Sequence, residues 1–156
     1  MLPLLLSAAL LAGIDYTRGV GEKDKPALAV AAEARSKWLV AEVLYVDSPK
    51  LESGQGYLAT AAVELVSPWK LLAGARYSYR EGGPWHKQTL WGRAGIRVGS
   101  YTLLAEHAFN SPNQEIKLEG RMRLFSRPLA AEFRMFVLFH STGRGAGWSL
   151  LLGKEI

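Results

Sequence analysis

The chain has no cysteine, which excludes a disulfide framework, a thiolate metal site and a cysteine nucleophile. Nowhere does it hold the roughly 18 to 20 consecutive apolar residues that a spanning helix requires. After residue 20 no helix-period pattern competes with the alternating one. Basic residues form no run and no patch interleaved with aromatics, so the net charge of +5 does not point to nucleic acid. Lysine is almost missing from the centres of the periodic segments. The apolar stretch Leu2 to Ala12 resembles the core of a secretory signal, with Ser7-Ala8-Ala9 as a small-residue cleavage site, but no Lys or Arg precedes it. Residues 1–12 are therefore a short signal segment or the start of a first strand, and residues 13–156 form one domain.

What is present is strict alternation. In Ile116 to Phe125, Ile116, Leu118, Gly120, Met122 and Leu124 fall on one side; Lys117, Glu119, Arg121, Arg123 and Phe125 fall on the other. A strand sends successive side chains to opposite faces, so this is a ribbon with one apolar and one ionic surface. Similar segments run near Leu11–Gly19, Ala27–Arg35, Trp38–Val46, Tyr57–Val66, Leu71–Arg80, Gln88–Val98, Tyr101–Phe109, Leu129–His140 and Ala146–Gly153. Tight links (Ser36-Lys37, Ser67-Pro68-Trp69, Gly99-Ser100, Ser126-Arg127-Pro128) alternate with longer polar ones (Glu22 to Pro26, Asp47 to Gly56, Glu81 to Lys87, Asn110 to Glu115, Ser141 to Gly145). The 16 Gly suit bends and turns, and the 7 Pro lie outside the periodic stretches. This pattern predicts an all-β, antiparallel up-and-down barrel with one short-turn rim and one long-link rim. An even strand count puts both chain ends on the short-turn side. Ten strands satisfy it; eight do so if the first two segments are not paired.

Alternation alone leaves open which face meets water. Three features turn the ionic face inward. Arg76, Arg80, Arg93, Arg97, Arg121, Arg123 and Arg134 lie mid-strand, whereas Lys23, Lys25, Lys37, Lys50, Lys70 and Lys87 sit in links or at strand edges, with Lys117 and Lys154 near strand ends. Arginine is preferred where ions pair away from bulk water, because its planar fork holds carboxylates bidentately. The other face carries no charge: Ala59, Ala61, Val63 and Leu65 are typical, as are Leu129, Ala131, Phe133, Met135, Val137 and Phe139. Aromatics such as Tyr57, Trp69, Tyr79, Tyr101, Phe109 and Trp148 gather near strand ends, as interfacial girdles do. The alternative is a soluble barrel with an oily centre that binds a small hydrophobic ligand.

On these features the chain resembles the small bacterial outer-membrane β-barrels over nearly its whole length. Those proteins end in a glycine followed by alternating apolar residues, usually closing on an aromatic. Gly147, Leu150 and Leu152 fit that spacing, while the chain closes on Lys154-Glu155-Ile156. The resemblance implies a monomeric transmembrane barrel in a bacterial outer membrane, with both termini periplasmic. Its partner would be the lipid bilayer and its lipopolysaccharide, and its role structural or surface-interacting rather than enzymatic.

Carboxylates sit on the early staves (Asp15, Glu33, Glu42, Glu64), and most arginines on the later ones (Arg76, Arg93, Arg97, Arg121, Arg123, Arg134), with Glu106, Glu119 and Glu132 interspersed. In a small barrel these walls interlock and plug the lumen. Toward the long-link rim the inward positions turn apolar: Leu44, Val46, Leu58, Trp91, Phe136 and Leu138. Ordinary filling is the simpler expectation; the alternative is a small hydrophobic pocket with His140 and Lys117 at its mouth.

Candidates for chemistry are few. His86 lies in a Gly-Gly-Pro-Trp-His loop, and His107 falls on the apolar face. His140 and Ser141 are the only adjacent His–Ser pair. The outer-membrane lipid A deacylases are similar in carrying His and Ser late in a small barrel, but as His-X-Ser, which makes a lipid-modifying hydrolase the enzymatic alternative. Adjacent strand residues point apart, and no acid completes a triad. Asp47 and Glu52 flank a loop without further metal ligands. Gly143-Arg144-Gly145-Ala146-Gly147 lacks the features of a phosphate loop and reads as a flexible hairpin. No metal or cofactor is predicted.

Overall fold

In the computed structural model the described residues are 7–18, 26–51, 54–81, 88–111, 115–126, 128–141 and 143–156, without the side chains of 17–18, 48–51, 54–56, 81, 125 and 140. The strands are β1 Ser7–Arg18, β2 Pro26–Arg35, β3 Leu39–Leu51, β4 Gly54–Val66, β5 Leu71–Glu81, β6 Gln88–Val98, β7 Tyr101–Ala108, β8 Ile116–Ser126, β9 Leu129–His140 and β10 Gly143–Glu155. Each pairs antiparallel with its chain neighbours, and β1 also pairs with β10, closing a ten-strand up-and-down barrel. Ten is the count expected, not eight. Closure leaves no sheet edge to pair with another chain.

Three segments are longer than the alternation indicated. β1 begins at Ser7, and its Ala9 already faces Glu155 and Glu33, so a cut within Ser7-Ala8-Ala9 would fall inside the wall. The Asp47 to Gly56 link is mostly strand: β3 and β4 continue to a Leu51–Gly54 pairing, with a register shift between Ser48 and Leu51. Gly143 to Gly147 belongs to β10 and pairs with His140 to Phe136, so the hairpin reading of that run is corrected. Backbone ladders need no apolar alternation, which is why periodicity stopped short in all three places.

The short-turn rim is built from local hydrogen bonding. Ser36 Oγ accepts from the backbone N–H groups of Trp38 (3.3 Å) and Leu39 (3.1 Å). At the β4–β5 turn the Lys70 N–H donates to the Ser67 carbonyl at 3.0 Å, and Lys70 takes a left-handed φ of 66°. Type I turns with Pro at the second position and a left-handed residue after the third close hairpins in this way. Ile156 N–H donates to Ala8 O at 2.7 Å, fixing both ends of the barrel chain at this same rim.

The β1–β10 seam depends on glycine. A Cβ on Gly153 would lie 1.8 Å from Leu10 O, and one on Gly13 1.9 Å from Leu150 O. Both obstacles are backbone of the adjacent strand and cannot swing away. Gly153→Ala is therefore expected to destabilise the barrel by about 1–3 kcal/mol, the usual range for overpacking. The check is the loss of the fast-migrating folded band on unheated gels.

Candidate functional site: the ionic lumen

Strand parity decides where every charge goes. On β8 the alternation Lys117, Glu119, Arg121, Arg123 turns inward, and Ile116, Leu118 and Leu124 turn outward and exposed. The same holds around the barrel: Glu33, Glu42, Glu64, Arg76, Arg93, Glu106, Glu119, Arg121, Arg123, Glu132 and Arg134 are all buried. The soluble-barrel alternative needs the opposite arrangement, an apolar interior beneath a charged exterior, and is overturned by this parity.

Two kinds of ion pair fill the interior. Along one strand, or between adjacent strands, Glu119 meets Arg121 and Lys117, and Glu132 meets Arg123 and Arg134. Over Gly74 of β5, which pairs with both residues, Arg93 Nη1 lies 2.7 Å from Glu64 Oε1; across the lumen, Arg121 Nη1 lies 3.3 Å from the same oxygen and Arg123 Nη2 2.5 Å from Glu33 Oε2. Arg134 closes onto Glu42, linking β9 to β3. The expected interlock of early carboxylates with late arginines is thus present in the geometry. Glu106, as enclosed as Glu132, has Arg93 at 2.8 Å, Arg76 at 3.0 Å and Lys117 at 3.6 Å.

Two of the residues expected in this network lie toward the ends of the lumen. Asp15 is half-buried toward the long-link end of β1, beside Ser149 and Ala27. Arg97 is half-buried near the short-turn rim and has no carboxylate within ion-pair distance among the described residues. Two members were missed. Arg35 hydrogen-bonds Glu33 through Nε (2.9 Å) and Nη2 (2.6 Å), and Lys117 sits among Glu106 and Glu119 rather than at a pocket mouth. Their parity with Glu33 and Glu119 was the available signal.

The apolar inward residues near the long-link rim each pack on a neighbour. Trp91 Nε1 donates to Ser78 Oγ at 2.9 Å, and the Arg76 guanidinium lies 4.6 Å from the indole centroid. Lys117 Nζ stands 4.7 Å from the centre of the Phe136 ring. Leu44 and Leu58 pack against a cluster containing Val46, Leu11, Ala29, Ala31 and Leu151, and Leu138 is half-buried opposite Gly145.

Glu33, Glu42 and Glu132 bring carboxylate oxygens within 4.8 Å of one another. Arg35, Arg123 and Arg134 already occupy that space as counter-charges, so the trio reads as the acidic half of the network, not a cation cage. His107 is exposed on the outer face and meets Phe109 edge to face at 5.6 Å. β9 ends at His140 and Ser141 lies in the following turn; the His140 side chain, His86 and Glu52 fall outside the described residues.

No family model and no curated protein matches this chain. Among solved structures it is similar to the crystal structure of Neisserial surface protein A, with 9% sequence identity, a TM-score of 0.42 and 96% of each chain covered.

Proposed function

We propose that this protein is an integral outer-membrane β-barrel with a plugged, salt-bridged interior. Its short outer loops offer little area for adhesion, so its role is structural, in envelope integrity, with surface interaction the secondary one. One observation carries the reading: the chemistry of the outer wall. Leu28, Leu65, Leu103, Leu118, Met135 and Leu152 are among many large apolar side chains left exposed there. Among the described side chains of the strands, outward-facing charges are confined to Asp47, Arg144 and Lys154, toward the rims. Soluble monomers rarely expose contiguous apolar surface on this scale. A bilayer makes it the favourable arrangement.

Aromatics border this band. At one rim Tyr45, Tyr57 and Tyr79 stack in succession at 6.0 and 5.8 Å, and Tyr16 stacks on Trp148 at 5.9 Å. At the other, Trp38, Trp69 and Tyr101 are exposed, and Lys37 Nζ lies 4.6 Å from the Trp38 ring centre. Tyr101 and Phe109 mark the two borders along β7. Their separation is about 26 Å along the strand. At a tilt of roughly 40° that is about 20 Å, close to the ~25 Å apolar band of such barrels. The short-turn rim, with both termini, takes the periplasmic side by the usual asymmetry of these folds.

The test is fractionation followed by electrical recording. The protein is expected in the detergent-extracted membrane fraction, with heat-modifiable gel mobility, and to give no large, stable conductance in planar bilayers. Recovery as a soluble protein without detergent would overturn the membrane assignment; steady open-pore currents would overturn the plug.

A further inference from the structure

The outer wall is not level: on β1 to β5 it dips into a trough. One row of outward residues, paired strand to strand, runs Leu10, Ala32, Val43, Ala61, Tyr77 and Leu90. Ala34 and Ala41 lie beside it toward the short turns and face each other across the β2–β3 ladder. A methyl group at these places, where β8 and β9 carry residues such as Leu118, Met122, Phe133 and Met135, leaves the surface low. The alanines therefore floor a cavity of about 660 Å³ on the outside of the barrel. The larger members of the row stand up as its walls and are exposed, as is Ile156 at one end.

The row climbs the wall. Before Leu10 it continues to Lys154, the next-to-last residue of β10 at the short-turn rim, and it ends at Leu90, the third residue of β6. Five ladder steps separate Leu10 from Leu90, about 24 Å at the usual strand spacing. With strands tilted roughly 40°, a row at right angles to them rises about 15 Å over that length. That is half of a ~30 Å hydrocarbon core, the depth of one leaflet's acyl chains. Cations border the low end. Lys154 is exposed beside Leu10, and Lys37 is exposed in the turn that joins the strands of Ala34 and Ala41. Lys37 rests on the Trp38 ring, which suits a border position. The four tight turns hold no Asp or Glu. On this border the negative groups among the described residues are Glu155, which points into the lumen, and the carboxylate at Ile156.

We propose that the trough binds one phospholipid with an anionic head group, bordered by Lys37 and Lys154, with an acyl chain laid along the alanines. This deepens the membrane reading above and rests on it. The rise of the trough matches a chain that starts at the short-turn border and ends near mid-membrane. The cations at its low end select a negative head group there. A chain in the trough touches floor and walls together, so it gains more dispersion contact than one lying on a level stretch of wall. A second barrel would bring a convex wall, which does not fill a trough.

Native mass spectrometry of the full barrel, released from nanodiscs that hold phosphatidylglycerol and phosphatidylcholine in equal amounts, tests the site. One retained phosphatidylglycerol per barrel is expected, in preference to phosphatidylcholine. Lys37→Gln and Lys154→Gln are each expected to weaken that preference about fivefold. The pair Ala32→Leu/Ala61→Leu fills the floor and is expected to weaken retention of either lipid about tenfold, with the folded band on unheated gels kept. Ala105→Leu, on the wall outside the trough, should change nothing. The lysine variants lie at the rim and decide the matter if the filled trough does not fold. Equal retention of the two lipids, or retention unchanged by the filling pair, would overturn the site in a barrel that still fractionates with membranes. A dimer in place of the lipid adduct, lost in the filling pair, would assign the trough to a second copy and overturn it too. Recovery without detergent would instead overturn the membrane reading beneath it.

Discussion

Glu106→Ala is expected to lower unfolding stability by about 3–5 kcal/mol, the range for stranding one member of a buried pair. Glu106 is 1% exposed and is approached by Arg76, Arg93 and Lys117. Truncating it leaves three cations facing one another where little water can enter. Arg93 retains Glu64 at 2.7 Å and Lys117 retains Glu119, but Arg76 loses the one carboxylate in contact with it among the described residues. Removing Arg76 as well should therefore restore part of the loss. The double variant Glu106→Ala/Arg76→Ala is expected to be more stable than Glu106→Ala alone, since the desolvation cost of the arginine disappears with it. Urea unfolding in detergent, followed by tryptophan fluorescence, measures both. Equal losses in the single and double variants would mean that the ions are individually hydrated and that the interior is wet.

The second large effect belongs to the opposite face. Ala105 is exposed on β7, midway between Tyr101 and Phe109. Ala105→Arg is expected to cost about 2–4 kcal/mol of folding free energy in a bilayer, whereas Tyr101→Arg at the border should cost only about 0–1 kcal/mol. On a water-facing surface the two substitutions would be nearly equivalent and each within about 0.5 kcal/mol of the parent. Equilibrium folding into lipid vesicles, with both variants compared under the same conditions, separates the cases. A mid-wall arginine without depth-dependent cost would remove the bilayer from the account.

Much of this was legible before any coordinates. The strands, their number and the facing of Arg93, Arg121, Arg123 and Arg134 follow from a period of two and from the segregation of Arg from Lys. The alternation stops short of the full β3, β4 and β10 because Asp47, Ser48, Pro49 and Lys50, and the glycines after Ser141, carry no apolar period. Their backbones pair regardless. The site was half legible. Parity marked who points inward, and it covered Arg35 and Lys117 equally, but it says nothing about distance across the lumen.

The amino-acid order by itself determined the two-faced wall: a strand cannot send neighbouring side chains the same way, so each segment had one oily and one ionic surface. Only the tertiary structure decided the partners. Register and closure set Glu42 on β3 against Arg134 on β9, far apart in the chain, and left Arg97 at the mouth without an ion-pair partner among the described residues. Charge pairing depends on distances of a few ångströms, and those are fixed by how ten strands shear and close, not by the period along any one of them.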